Sequence, residues 1–226
     1  MKTFLTVALL AALTSFLHEH GAVFRWKSTV RNWSVSDGRI QAAVTADGPV
    51  EGDEFILAGG AQSPSLSERI GLHLPMQAGK GYSLTLPHPP QRPRICGILT
   101  EARVAVTPIG DQLRLGGTME ITGTDSSINP ERVRGIIESA LRYYPALSSG
   151  DFDGIAPWSG LRPCSPDGLP YLGRTRLARN LVIATGHAML GLSLAPITGQ
   201  LVAAHVSDRP PPVESPLLSP DRYLGF

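Results

Sequence analysis

The sequence predicts a mixed architecture, α/β plus α+β, in which a helix-flanked sheet is interrupted by an antiparallel-sheet module. Three observations carry this. A compact apolar strand runs into a glycine turn and then a helix at residues 54–70, and the same order recurs at residues 181–206, the local pattern of an α/β unit. Between the two lie four short β-prone runs, at residues 81–86, 95–100, 103–107 and 112–116, divided by Pro and Gly as in an antiparallel sheet. An amphipathic helix follows, with Val133, Ile136, Ile137, Ala140, Leu141 and Tyr144 at helical spacing, and it is placed to cover that sheet.

The remaining elements follow in chain order. The N-terminus opens with Lys2 and an apolar run over residues 4–13, continues through Phe16 and Leu17 to His18-Glu19-His20, and stops at Gly21. A secretory leader and a retained buried helix both fit this pattern. Polar residues in a last turn followed by glycine favour the helix, packed on the strand of Leu57, with Ala22, Val23 and Phe24 continuing as a buried strand. Residues 28–35 and 39–45 are β-prone and separated by Asp37-Gly38, a hairpin signal, and Asp47-Gly48-Pro49 closes that unit. Ser63-Pro64 caps and opens a helix to about Ile70, while Asn129-Pro130 opens the amphipathic one, which Tyr144-Pro145 ends. From Asp151 to the strand at Leu181 the chain reads as irregular and rich in Gly and Pro. The tail, with Pro210-Pro211-Pro212, reads as an extended or loose end. The expected domains are therefore residues 1–77, 78–150, 151–207 as a return to the first, and a tail at 208–226.

Composition narrows the function classes. With 226 residues there is ample length for a buried core, and 42% hydrophobic against 17% charged residues excludes disorder through charge excess. A formal net charge of +1 gives no basic field for a phosphate backbone, so no nucleic-acid partner is expected. Cys96 and Cys164 match no metal spacing and are expected to be ordinary buried thiols, and the histidines do not cluster as ligands, so no metal site is expected. No uninterrupted apolar run reaches the length of a membrane span. The expected location is cytoplasmic, with membrane association as a second option.

Trp158-Ser159-Gly160-Leu161-Arg162-Pro163, continuing through Cys164-Ser165-Pro166-Asp167-Gly168-Leu169-Pro170-Tyr171-Leu172-Gly173, resembles the substrate-site segment of the FAD-dependent amino-acid oxidoreductases, which include D-amino-acid dehydrogenases and oxidases and glycine or sarcosine oxidases. Ala184-Thr185-Gly186-His187-Ala188-Met189-Leu190-Gly191, with Pro196-Ile197-Thr198-Gly199, resembles the last flavin-contacting turn and helix of that family. Leu57-Ala58-Gly59-Gly60-Ala61-Gln62-Ser63 resembles its middle flavin-contacting turn. The resemblance runs from about Phe4 to Val206 and is strongest to the D-amino-acid dehydrogenase branch. It implies a partial FAD-binding, Rossmann-like domain with an inserted antiparallel-sheet substrate domain capped by helices. The family's opening G-x-G-x-x-G turn, which holds the FAD pyrophosphate, has no counterpart in the sequence. The resemblance therefore implies the C-terminal portion of such an enzyme, with a partner chain or further segment supplying nucleotide binding.

On that resemblance Arg162 is the candidate anchor for the substrate carboxylate, since a planar guanidinium holds a carboxylate bidentately where Lys does not; the alternative is a surface arginine. Tyr82 is a second candidate near the substrate, or else a core tyrosine on a strand. The candidate flavin contacts are Val30, Ala58, Gly59, Gly60, Gly186, His187, Gly191, Leu192 and Thr198. The glycines let backbone approach the cofactor, and the helix after Gly186 aims its positive end where reduced flavin gathers charge. His187 is read as a hydrogen-bonded structural residue before a base, and no residue is assigned as catalytic. The expected function is FAD-dependent oxidation of an amino-acid CH–NH2 group to the imine and then the 2-oxo acid, with oxygen and quinone both open as electron acceptor. A non-catalytic subunit or remnant and an exported amino-acid-binding protein stand as alternatives.

Overall fold

The structure, a computed structural model, describes residues 2–213 and 216–224 in two compact units. One comprises residues 1–24 and 80–161, the other residues 25–79 and 162–226. Met1 at the leader-like N-terminus and Glu214, Ser215, Gly225 and Phe226 of the expected tail lie outside the described residues.

The first unit carries a five-stranded sheet in the order β6-β7-β8-β5-β9, from β5 (Gln77–Leu86), β6 (Gly97–Leu99), β7 (Val104–Ile109), β8 (Gln112–Ile121) and β9 (Trp158–Cys164). β5 and β9 run past the boundary, so Gln77–Gly79 and Arg162–Cys164 belong to the second unit. Strand alternation puts Tyr82, Leu84 and Leu86 of β5 on one face with Val104, Val106, Leu113 and Leu115, and the helix α3 (Pro130–Tyr143) buries Val133, Ile136 and Ala140 against them. Each such valine, leucine or isoleucine contributes about 1.5–3 kcal/mol by leaving water. Gly117 makes the close approach possible, because a Cβ there would meet Ile136 Cγ1 at 3.1 Å and Val104 Cγ2 at 3.2 Å. Asn129 caps α3 by accepting from the Glu131 backbone N–H at 3.0 Å, with Pro130 in the first turn as the sequence predicts.

The helix α1 (Lys2–Glu19) forms, but the expected buried helix does not. It groups with β7 in the first unit, whereas Leu57 lies in the second, and from Val7 on its side chains are exposed apart from Thr14. Apolarity all round a helix says that it needs cover without naming what covers it. Ala22, Val23 and Phe24 form no strand, and Val23 is exposed. Among the described residues no helix is long and apolar enough to cross a membrane.

The second unit holds two three-stranded sheets. β1 (Val30–Ser36), β2 (Arg39–Thr45) and β3 (Gly48–Glu51) form an antiparallel meander. The Asp37-Gly38 turn has φ of 51° and 69°, which the twist of a two-residue hairpin requires. Asp47-Gly48-Pro49 does not close the unit but leads into β3, an edge strand where proline is tolerated. The other sheet has the order β10-β11-β4, from β4 (Phe55–Leu57), β10 (Tyr171–Thr175) and β11 (Ala178–Thr185). β10 and β9 are strands inside the stretch that reads as irregular. A short helix α2 (Ser63–Ser67) follows β4, and α4 (Gly191–Val206) follows β11. Asn180 joins the two sheets: its side chain accepts from Ile40 N at 2.8 Å and donates to Ile40 O at 2.8 Å and Asp53 O at 3.0 Å.

The tail is not loose where it is described. Arg222 makes a two-pronged ion pair with Asp167, at 2.9 and 3.0 Å, and its guanidinium lies 3.8 Å from the centre of the Tyr171 ring. Asp221 accepts from Thr175 Oγ1 and from the Arg176 backbone N–H at 2.7 and 2.9 Å. Cys96 is exposed and Cys164 only half-buried, so neither is the buried thiol that composition suggests.

Candidate functional site

β4 and β11 are parallel, with Leu181 opposite Phe55, Val182 opposite Ile56 and Ile183 opposite Leu57. Parallel adjacent strands end on the same edge, and the crevice beyond the carboxyl ends of such strands is where α/β sheets bind ligands. Ala58, Gly59 and Gly60 leave the end of β4 there, and Gly186 and His187 leave the end of β11. Two glycine turns far apart in sequence thus become neighbours in space.

The glycines of the two turns differ in what their surroundings ask of them. Gly60 has φ of +56°, with no atom within 4 Å of where a Cβ would stand, so its backbone is open to approach from that side. Gly186 has φ of +84°, and a Cβ would meet Tyr171 Cδ2 at 3.1 Å and Tyr171 N at 3.4 Å. A Cβ on Gly59 would meet Ser63 Oγ at 3.3 Å. Gly191, the first residue of α4, lies under His187, to whose Cβ an added Cβ would stand 3.5 Å away. His187 Nε2 and Thr198 Oγ1 share a hydrogen bond of 3.0 Å, clipping the turn to α4. Burial pushes the His187 imidazole below its ordinary value, so the ring is neutral at pH 7. Leu192 is exposed in the first turn of α4, whose N-terminus carries no side-chain cap. Among the described contacts, Val30, paired with Thr45 at the start of β1, is not brought to these turns.

Arg162 arrives at the same place by a separate route. β9 carries it, its Nη1 donates to Gly79 O at 3.3 Å, and the next two residues bond the β11 turn directly. Ala188 N donates to Pro163 O at 2.9 Å, and Cys164 forms an antiparallel bridge with His187. The candidate carboxylate anchor is therefore one residue from a segment bonded to the candidate flavin turn. Ala188 takes a φ of +47° to make this contact, strain of the sort that collects at functional sites.

Tyr82 belongs to the first unit. It is 2% exposed, its ring is part of the α3-facing core, and its hydroxyl donates to the Glu120 carboxylate. Glu120 is held below its ordinary value first by that hydrogen bond. Beside it Lys80, equally buried, donates to Asp125 Oδ2 at 3.1 Å and Ser127 O at 3.0 Å. Desolvation opposes its charge, but Asp125 together with Tyr82 outweighs it and leaves the ammonium above its ordinary value.

Sequence reasoning missed two residues here. Ser63 and Thr185 are 0% and 2% exposed; Ser63 Oγ donates to Thr185 Oγ1 at 3.2 Å, and Thr185 Oγ1 donates to Gly60 O at 3.0 Å. Only the parallel register brings them together, and isolated hydroxyls leave no periodic signal. Among the described residues no cluster suits a metal ion.

The backbone turns, the uncapped end of a long helix and the neutral imidazole fit a flat, partly apolar ring that gathers negative charge on reduction. Residues 5–205 match the sequence model of a family described as FAD dependent oxidoreductase, DAO. The chain is 38% identical over 208 residues to a D-amino acid dehydrogenase of Paramagnetospirillum magneticum, covering 91% of this chain and 49% of that protein. It is 37% identical over 219 residues to a D-amino acid dehydrogenase of Methylobacterium radiotolerans, covering 96% and 51%. Among solved structures, glycine oxidase from Geobacillus kaustophilus superposes with a TM-score of 0.74 at 26% identity, covering 91% of this chain and 55% of that one. The chain spans about half the length of the curated relatives it matches.

Proposed function

The chain belongs to the FAD-dependent oxidoreductase family, and on that premise we propose that it holds the ring side of FAD and the carboxylate of an amino-acid substrate for oxidation at the α-carbon. The observation that carries the reading is the bond from Ala188 N to Pro163 O, which sets Arg162 beside the Gly186 turn. When bound, FAD accepts the hydride that leaves the α-carbon. The imine left behind adds water and releases ammonia to give the 2-oxo acid.

This chain's residues bind and orient. Arg162 takes the substrate carboxylate in its fork and fixes where the α-carbon stands, and the Gly79 carbonyl fixes the guanidinium in turn. The turns at Gly59-Gly60 and Gly186-His187 meet the ring and ribityl chain with backbone, and the N-terminus of α4 offers its dipole to negative charge. Burial disfavours a charged His187, which serves to keep the turn on Thr198. The D-amino acid dehydrogenases among the relatives favour a D-amino acid as substrate. The sequence contains no G-x-G-x-x-G turn, so pyrophosphate contacts come from polypeptide outside these residues, joined or separate.

The test is anaerobic reduction. The chain, complemented with a family member's nucleotide-binding segment and loaded with FAD, is mixed with D- and L-amino acids while the visible flavin absorbance is followed. Bleaching by a D-amino acid with formation of the 2-oxo acid supports the reading, and flavin that stays oxidised with every amino acid contradicts it.

A further inference from the structure

The buried hydroxyl pair Ser63 and Thr185 has no part in the chemistry proposed above, yet it is the one side-chain link between the two glycine turns among the described hydrogen bonds. Thr185 is the last residue of β11 and Ser63 the first of α2. The proton of Thr185 goes to the Gly60 carbonyl and that of Ser63 to Thr185, so the bonds tie the end of β11 directly to the segment after β4. Both side chains are fully withdrawn from solvent. Removing either hydroxyl therefore leaves a buried donor or acceptor with nothing to replace it. Elsewhere in this sheet Leu181, Val182 and Ile183 fill the interior. A valine at 185 would have the same branched heavy-atom shape as threonine, so shape alone does not call for a hydroxyl here.

We propose that Ser63 and Thr185 are positioning residues that set the spacing between the Gly59-Gly60 and Gly186-His187 turns, and through it the grip on the flavin ring. This rests on the functional reading above and deepens it. The pair touches no cofactor itself. It acts on the Gly60 peptide, whose orientation follows from the carbonyl that Thr185 holds. Ser63 also packs its Oγ 3.3 Å from where a Cβ of Gly59 would stand, so Ser63 lies against one glycine of that turn while Thr185 holds the carbonyl of the other.

The probe is riboflavin, which carries the ring and ribityl chain and no pyrophosphate. Its fluorescence is titrated with the wild-type chain and with Thr185→Val, Thr185→Ser and Ser63→Ala, while amide hydrogen exchange is followed at residues 59–63 and 185–188. The expected result is about tenfold weaker binding in Thr185→Val and Ser63→Ala, faster exchange in both turns at once, and recovery of both in Thr185→Ser, which keeps the hydroxyl. Faster exchange with unchanged riboflavin affinity would overturn the inference, since the pair would then serve stability alone. Faster exchange in one turn only would overturn it as well. Should Thr185→Val not fold, Ser63→Ala and Thr185→Ser decide the matter by the same comparison. A wild-type chain that does not bind riboflavin overturns the functional reading and this inference with it, and the wild-type titration separates that case from the others.

Discussion

The backbone N–H of Ala188 donates to the carbonyl of Pro163 at 2.9 Å, joining the strand that carries Arg162 to the turn that follows β11. Pro163 interrupts no ladder here, because the bond uses its carbonyl and not the N–H it lacks. Ala188 is bent to a φ of +47° at this contact, and glycine would adopt that conformation without steric cost. Ala188→Gly should therefore raise stability by about 1 kcal/mol through relief of strain. Chemical denaturation with an unchanged m-value is the check. Destabilisation would show that the methyl group packs usefully.

Gly186 should tolerate no side chain. Its φ of +84° and the 3.1 Å approach to the Tyr171 ring combine backbone strain with a clash against a buried aromatic. Gly186→Ala is expected to cost about 2–4 kcal/mol. Gly168→Ala is the control: its φ is +76°, but no atom lies within 4 Å of the new methyl group, so the cost should stay near 1 kcal/mol. Thermal melts of the two variants should differ clearly in the stated order.

Much of this architecture was legible before any coordinates. The glycine turns after Leu57 and Thr185 and the α3 stripe follow from local pattern, and local pattern is what a sequence displays. The stretch from 151 to 181 hides β9 and β10 because Gly160, Pro163, Pro166, Gly168, Pro170 and Gly173 break every periodicity. The Pro-rich tail reads as loose because the bonds that hold it, Arg222 to Asp167 and Asp221 to Thr175, are long-range. The surroundings of α1 are hidden for a related reason: its sequence shows that it is apolar but not what lies against it. In the candidate site the glycines and Arg162 could be named from sequence through a family resemblance, whereas Ser63 and Thr185 needed the register of β4 against β11.

Asn180 is the second buried polar device of this unit. Asn180→Leu would strand Ile40 N–H and Ile40 O in the interior, while Asp53 O keeps its bond from Arg39, and should cost about 3–5 kcal/mol. Asn32→Ala, on an exposed position of β1, should stay within about 0.5 kcal/mol. Equal melting temperatures for the two variants would mean that water replaces the lost partners.

Acid should weaken the second unit through its histidines. Burial lowers both His187 and His205, with the charge of Arg174 adding to the effect on His205. The unfolded chain then binds protons first as the pH falls, so their contribution is complete above about pH 6.5 and is lost as the pH drops through the lowered folded values. Melting temperature should fall between pH 7 and 5, and His187→Asn with His205→Gln should flatten that slope. The first unit should lose stability of its own below about pH 4, as Asp125, held down to about 2 first by the hydroxyl of Ser127, is protonated.

Arg162→Ala and Arg162→Lys should weaken capture of the amino-acid substrate by about ten- to a hundredfold in the FAD-loaded, complemented protein, since a charge-assisted hydrogen bond is worth about 1.5–3 kcal/mol. Lysine should rescue only in part, because it keeps the charge without the planar fork. Single-turnover flavin reduction at varied substrate concentration reads both affinity and rate. Unchanged values in both variants would return Arg162 to the surface arginines.

The proposed function has these residues grip the ring side of FAD and leaves its pyrophosphate to other polypeptide. Parallel fluorescence titrations of the 226-residue chain with riboflavin and with FAD test it most directly. Weak, saturable binding of both is expected, with affinities within about tenfold of each other, because the diphosphate of FAD finds no glycine-rich turn to compensate its desolvation. FAD binding that is tight and stoichiometric while riboflavin binds weakly would contradict the account, as would failure of the chain to bind either.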